Sequence, residues 1–184
     1  CILHAPLFHP AMKNVAPIRR ELGVKTFFNM LGPMVNPAFP KNQVVGVFNL
    51  ELARKYGYLY QKGSKNYAIV HAMDGYDEIA LTGPVKIIAN HTESIITPER
   101  FGIPQITASE IYGGETVVAS AKIFTDILQG NGTQAQNNVV CANAALAIKT
   151  VDNCTITEGF ERATESLQSG KALKSLELLR KLSK

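Results

Sequence analysis

The sequence predicts an α/β fold: a mixed, mostly parallel sheet flanked by helices. Three observations predict it. An apolar, β-branched run at residues 43–48 is followed by helical spacing over 50–62 and then at once by a second apolar run at 67–71. A strand–helix–strand unit with connections this short implies a right-handed crossover and parallel strands. Two short β-prone runs, 85–89 and 94–97, flank Asn90, His91 and Thr92 as the arms of an antiparallel hairpin. From Glu115 onward the apolar residues recur at spacings of three and four, the mark of amphipathic helices.

Each element has its own signal. The first helix places Leu52, Tyr56, Leu59 and Tyr60 at helical spacing and should stop near Gly63, a C-terminal cap. Thr97-Pro98-Glu99 supplies an N-cap, a proline at the first helical position and an acid in the first turn, so a short helix starts there. Helices are expected at 115–128, 135–149, 157–167 and 172–182, separated by Gly130-Asn131-Gly132, Asp152-Asn153 and Ser169-Gly170. Thr155 and Glu158 have the spacing of a capping box.

Bulk properties narrow the class. With 46% hydrophobic and 18% charged residues, 184 residues suit one domain with a proper core over residues 1–184. No run reaches the roughly 18 apolar residues of a membrane span, and the first residues lack the basic-then-apolar order of a secretory signal, so a soluble protein without a membrane partner is expected. Cys1, Cys141 and Cys154 are odd in number and lack paired spacing, which suggests neither a disulfide framework nor a zinc site and fits a reducing cytoplasm. The net charge of +4 is spread along the chain except at Arg19-Arg20 and the tail 171–184, so no nucleic-acid partner is expected. Because the chain opens at Cys1 inside an apolar run, it reads as a fragment of a longer protein.

Three clusters carry chemistry. In the segment 9–23, Pro17 suits the first turn of a short helix and Gly23 its end, which puts Arg19 and Arg20 on faces about 100° apart. At most one of them points fully into a given pocket, where its planar fork suits a carboxylate or phosphate; spacing alone favours a solvated pair bonding Glu21 or a helix end. The second cluster, 29–37, is apolar yet dense in Gly, Pro and Asn, and reads as a structured loop. There Gly32 permits close backbone approach and Pro33 offers a rigid face to a flat ring, although an ordinary buried turn has the same composition. The third, Asp74-Gly75-Tyr76-Asp77-Glu78, directly follows a strand, where open α/β sheets hold ligands. In a loop both Asp77 and Glu78 can turn toward one magnesium ion, while an Asp-Gly turn with solvated acids is the plain alternative. His9 and His71 are equally readable as structural histidines. Neither a nucleophile elbow, a P-loop, a His-Glu-x-x-His nor a Cys-x-x-Cys pattern is present.

The run 9–38, HPAMKNVAPIRRELGVKTFFNMLGPMVNPA, closely resembles the signature region of the anthranilate phosphoribosyltransferases. The resemblance continues through QVVGVF, DGYDEIALTGP, NAALA and SGKAL and covers essentially the whole chain. It implies the catalytic-domain type shared by nucleoside phosphorylases and these phosphoribosyltransferases. It also implies transfer of the phosphoribosyl group of phosphoribosyl pyrophosphate to anthranilate with Mg2+, in a cytoplasmic homodimer formed through an N-terminal helical domain outside these residues. By motif, Arg19 resembles the residue contacting the anthranilate carboxylate, with Arg20 in its place if the register shifts by one. Pro33 resembles the proline beside the aromatic ring, His9 and Met12 line the path of anthranilate, and Asp77 and Glu78 hold the metal against pyrophosphate. The family's glycine-rich loop and its Lys-His-Gly-Asn motif have no counterpart here, so the chain alone is expected to be inactive. A pyrimidine nucleoside phosphorylase shares the architecture, but the Arg19 and Leu31-Gly32-Pro33 segments argue against it. A non-catalytic nucleic-acid-binding relative is opposed by the Asp77-Glu78 pair.

Overall fold

The computed structural model describes residues 2, 5–8, 14–15, 17–18, 21–23, 28–90 and 92–183. The chain has two compact units, Cys1–Pro40 and Lys41–Lys184.

In the smaller unit, Pro17, Ile18, Glu21 and Leu22 are helical and Gly23 follows with φ 62°, the left-handed residue that glycine supplies at a helix end. A helical turn, Phe28–Leu31, passes into a 3-10 turn, Gly32–Met34, closed by the Val35 N–H donating to Leu31 O and Gly32 O at 3.2 and 3.3 Å. Asn36 then turns the chain, its Oδ1 accepting from the Ala38 N–H at 2.9 Å.

The larger unit is built on a four-stranded mixed sheet in the order β1-β2-β3-β4: Asn42–Gly46, Asn66–Ala72, Val85–Ala89 and Thr92–Ile96. Strand β1 runs parallel to β2, with Gly46 opposite Val70, and helix α1 (Leu50–Tyr60) makes the crossover between them. The β2–β3 and β3–β4 pairings are antiparallel. The mixed sheet is as expected, but the parallel share is one pairing of three among the described residues, because the hairpin extends the sheet away from the crossover unit.

Strand β2 is buried on both faces from Tyr67 onward, which is why Tyr67, Ala68, Ile69 and Val70 are apolar without alternation. Ala68, Val70 and Ala72 join Val85 and Ile87 of β3 in a cluster with Val139, Ala142, Ala145 and Leu146 of helix α3 (Gln134–Asp152). On the other face, Tyr67 stacks on Tyr60 of α1 with ring centroids 5.2 Å apart, and Gly57 of α1 leaves room for Ile88 of β3. Helices thus cover both faces of the sheet.

Expected helix ends hold to within a few residues, and the differences have causes. Helix α1 ends at Gln61, whose N–H reaches Gly57 O and Leu59 O, so Gly63 is not the cap. Thr97 precedes a 3-10 turn, Pro98–Phe101, stopped by Gly102 at φ 72°. Helix α2 (Val117–Leu128) starts from Thr116, whose side chain accepts from the Ala119 N–H. Helix α3 runs on to Asp152 because left-handed Asn153 ends it. Helix α4 (Ile156–Gln168) starts at the expected capping box: the Thr155 N–H donates to Glu158 Oε2 at 2.8 Å and the Glu158 N–H to Thr155 Oγ1 at 3.2 Å. Helix α5 is Lys171–Leu182. Among the described residues no single helix is long and apolar enough to cross a membrane.

Helix α4 meets α3 at Gly159, where an added Cβ would lie 2.7 Å from Ala145 O and 3.2 Å from Ala145 Cα. Gly159→Ala should cost about 1–3 kcal/mol of stability by denaturant unfolding, despite the better helix propensity of alanine. The hydrogen bonds from Thr155, the backbone one foremost, hold the Glu158 carboxyl below its ordinary value of 4.5. A lowered pKa means that this contribution is fully present above the ordinary value and is lost as pH falls through the lowered one. Any thermal advantage of the parent over Glu158→Gln should therefore shrink on acidification below 4.5 and stay constant above it.

Candidate functional site

Strands β1 and β2 are parallel, so both deliver their carboxyl ends to one edge of the sheet. The segment that leaves β2 there, residues 73–84, is tied down along its whole length. Its first turn is closed by the Gly75 N–H donating to Ala72 O at 2.9 Å, with Gly75 at φ 107°, a conformation that favours glycine. The Ala72 N–H in turn donates to Tyr76 O, and the Met73 N–H donates to Pro84 O, each at 2.9 Å. Asp74 Oδ2 accepts from Thr82 Oγ1, cross-linking the start of the segment to its end.

Asp77 and Glu78 stand at the crest and are exposed, whereas the next three residues, Ile79, Ala80 and Leu81, are 0%, 0% and 1% exposed. The acids are therefore carried on a buried footing. Asn143, in the middle of α3, secures it. The Ile79 N–H donates to Asn143 Oδ1, while Asn143 Nδ2 donates to Ile79 O and to Val139 O, all at 2.9 Å. Leu81, at φ 61°, is held by the Ile106 N–H donating to its carbonyl at 3.1 Å, and Gln105 Nε2 donates to Thr82 O.

Gly46 supplies the other support. A Cβ at this end of β1 would lie 1.8 Å from Asp77 O and 2.9 Å from Asp77 C, a separation no side chain tolerates. The absence of a side chain at 46 lets the acidic crest rest directly on the strand. Buried His71 links the two strand ends, its Nδ1 lying 2.9 Å from Val47 O, which gives it a structural place.

The electrostatics suit a cation. Loss of solvent around the Glu78 carboxyl, and next the negative charge of Asp77, push its pKa above the ordinary value. Two neighbouring carboxylates that repel each other are hard oxygen donors. Among the described residues no group of three or more His, Cys, Asp or Glu side chains could hold a metal ion, and Asp77 and Glu78 form a pair of carboxylates only. That donor set fits an ion such as magnesium, which keeps several waters and takes one or two carboxylates together with substrate phosphates.

Of the residues singled out in sequence, the adjacent Asp77 and Glu78 lie exposed on this segment. Pro33 belongs to the smaller unit, half-buried in its 3-10 turn, where a Cβ on neighbouring Gly32 would meet nothing within 4 Å among the described residues. Arg19, Arg20, His9 and Met12 lie outside the described residues. Gly46, Asn143 and Thr82 were missed as site residues. A lone glycine inside a strand and a lone asparagine among Ala142, Ala144 and Ala145 are signals of close backbone approach and of a paired buried amide. Gly46→Ala should cost roughly 2 kcal/mol or more in denaturant unfolding, against a near-neutral Gly32→Ala; equal costs would mean that the crest does not rest on residue 46.

Residues 1–173 match the family described as glycosyl transferase family, a/b domain. The chain is similar to the anthranilate phosphoribosyltransferase of Flavobacterium johnsoniae, 67% identical over 183 residues that cover 100% of the chain and 56% of that protein. It is similar also to that of Bacteroides fragilis, 50% identical over 95% of the chain and 53% of that protein. Among solved structures, the anthranilate phosphoribosyltransferase of Thermus thermophilus aligns with a TM-score of 0.87 at 32% identity, covering 95% of this chain and 53% of that one. The Saccharomyces cerevisiae enzyme in complex with PRPP and Mg aligns with a TM-score of 0.84 at 28% identity, covering 94% and 50%. The chain thus spans about half the length of the relatives it matches. Its helix-covered sheet and the match over nearly its whole length show that the chain belongs to the glycosyl transferase family, as its a/b domain.

Proposed function

We propose that the protein containing this chain transfers the phosphoribosyl group of phosphoribosyl pyrophosphate to the amino group of anthranilate, releasing pyrophosphate, as a step of tryptophan biosynthesis in the cytoplasm. The observation that carries the proposal is the anchored Asp77–Glu78 pair at the carboxyl end of β2, in a chain whose relatives have that activity in their names. The yeast structure with PRPP and Mg supports the choice of donor and of Mg2+.

In this reading Asp77 and Glu78 hold the ion, and the anchored backbone of the crest would limit reorganisation of the pair during the reaction. The bound cation would neutralise the departing pyrophosphate and so make it a better leaving group. Arg19 presents its guanidinium fork to the anthranilate carboxylate, with Arg20 the alternative. Pro33 gives the aromatic ring a flat apolar face, and His9 and Met12 line the path by which anthranilate arrives. These five assignments rest on the resemblance of the run 9–38 to the family signature. The complete protein would act as a homodimer through a part outside this chain, and the chain by itself would hold only part of the site.

The test replaces the matched 183-residue segment of the Flavobacterium johnsoniae relative with this chain and measures phosphoribosyl transfer. Arg19→Ala should raise the KM for anthranilate roughly tenfold or more, the value of a lost charge-assisted hydrogen bond, and leave Mg2+ dependence alone. Asp77→Ala should raise the Mg2+ requirement by a similar factor and leave the KM for anthranilate alone. Unchanged turnover in both variants sinks the site assignment, and turnover by the isolated 184-residue chain sinks the claim that its site is partial.

A further inference from the structure

The structure assigns Asn143 as the positioning residue of the acidic pair, an inference that rests on reading Asp77 and Glu78 as metal ligands. The amide is matched on every side: Oδ1 accepts from the Ile79 N–H, and the two Nδ2 hydrogens go to Ile79 O and Val139 O, all at 2.9 Å. Ile79 immediately follows Glu78, so its N–H belongs to the rigid peptide plane that begins at the Glu78 carbonyl. Holding that N–H fixes the rotation of the plane and, one bond away, the direction in which the Glu78 side chain leaves the backbone. The preceding plane, between Asp77 and Glu78, is set by the Asp77 carbonyl lying against Gly46. Both planes flanking Glu78 are therefore fixed, one by β1 and the other by a side chain of α3.

Asn143 reaches Ile79 in the manner of a neighbouring strand, donating to and accepting from the same residue, although it stands on a helix. The third bond, to Val139 O one turn earlier on its own helix, prevents the amide from rotating away. A crest held only by its own turn would rock, and two carboxylates that must meet one ion lose affinity when either swings off line. Asn143 touches neither ion nor substrate in this account; it acts through the backbone of Glu78 and Ile79.

The experiment uses the replaced full-length protein described above and follows Mn2+ binding by electron paramagnetic resonance with pyrophosphate present, a reading independent of turnover. Asn143→Ala should raise the Mn2+ dissociation constant roughly tenfold, the usual effect of losing a group that orients a ligand. Leu146→Ala, a core change one turn along the same helix, should lower the melting temperature but leave Mn2+ binding as in the parent. If Asn143→Ala binds Mn2+ like the parent while Asp77→Ala does not, the positioning role is wrong and the metal reading stands. If Asp77→Ala also binds like the parent, the metal reading fails and this inference with it. An equal weakening by Leu146→Ala overturns the inference as well, since lost stability alone would then account for it. Should Asn143→Ala not fold, Asn143→Asp, which keeps the acceptor for the Ile79 N–H and loses the donor to Ile79 O, must show the same weakening.

Discussion

The carbonyl of Asp77 occupies the space that a side chain of residue 46 would fill, and the form of the acidic crest follows from that contact. Parallel strands place their carboxyl ends together, but a loop leaving one strand normally has to clear the side chains of its neighbour. Without a Cβ at position 46 the loop lies on β1, and the three residues after Glu78 become fully buried. Burial removes Ile79 and Leu81 from water, so their backbone polar groups require protein partners. Asn143 and the Ile106 N–H supply them, and the crest, its footing and helix α3 become one unit.

The sheet was legible because β2 is covered on both sides, so its run of Tyr67 to Val70 is apolar without a break and contrasts with the polar segments around it. The crossover to β1 followed from the helical spacing between the two runs. Pairing direction was less legible: the hairpin contributes two antiparallel pairings beside one parallel one, and its second arm is Thr92–Ile96, starting two residues before the expected Ser94. Thr92 reads as a turn residue in sequence but pairs with Ala89. Gly63 misled because glycine is a common helix terminator, whereas here Gln61 closes the helix in ordinary right-handed conformation.

The site divides in the same way. Asp77 and Glu78 stood out in sequence by their place after a strand, where open α/β sheets hold ligands, although an Asp-Gly turn with solvated acids reads the same way. Arg19, Pro33, His9 and Met12 were singled out only by resemblance to a family, since an arginine pair or a Gly-Pro turn has no unique chemistry. Asn143 was hidden because its meaning lies in a partner 64 residues away, and no local pattern reports so distant a contact. The capping box of α4 was readable for the opposite reason: Thr155 and Glu158 are three residues apart and need nothing else.

That separation of 64 residues also sets an order of events during synthesis. The turn between β2 and β3 can form as soon as it leaves the ribosome, and the two carboxylates are then already near each other. The bonds from Asn143 to Ile79 wait until helix α3 has been translated and has docked on the nascent sheet. A ribosome paused before residue 143 would thus carry a chain in which the turn after β2 is present but its fastening to α3 is not.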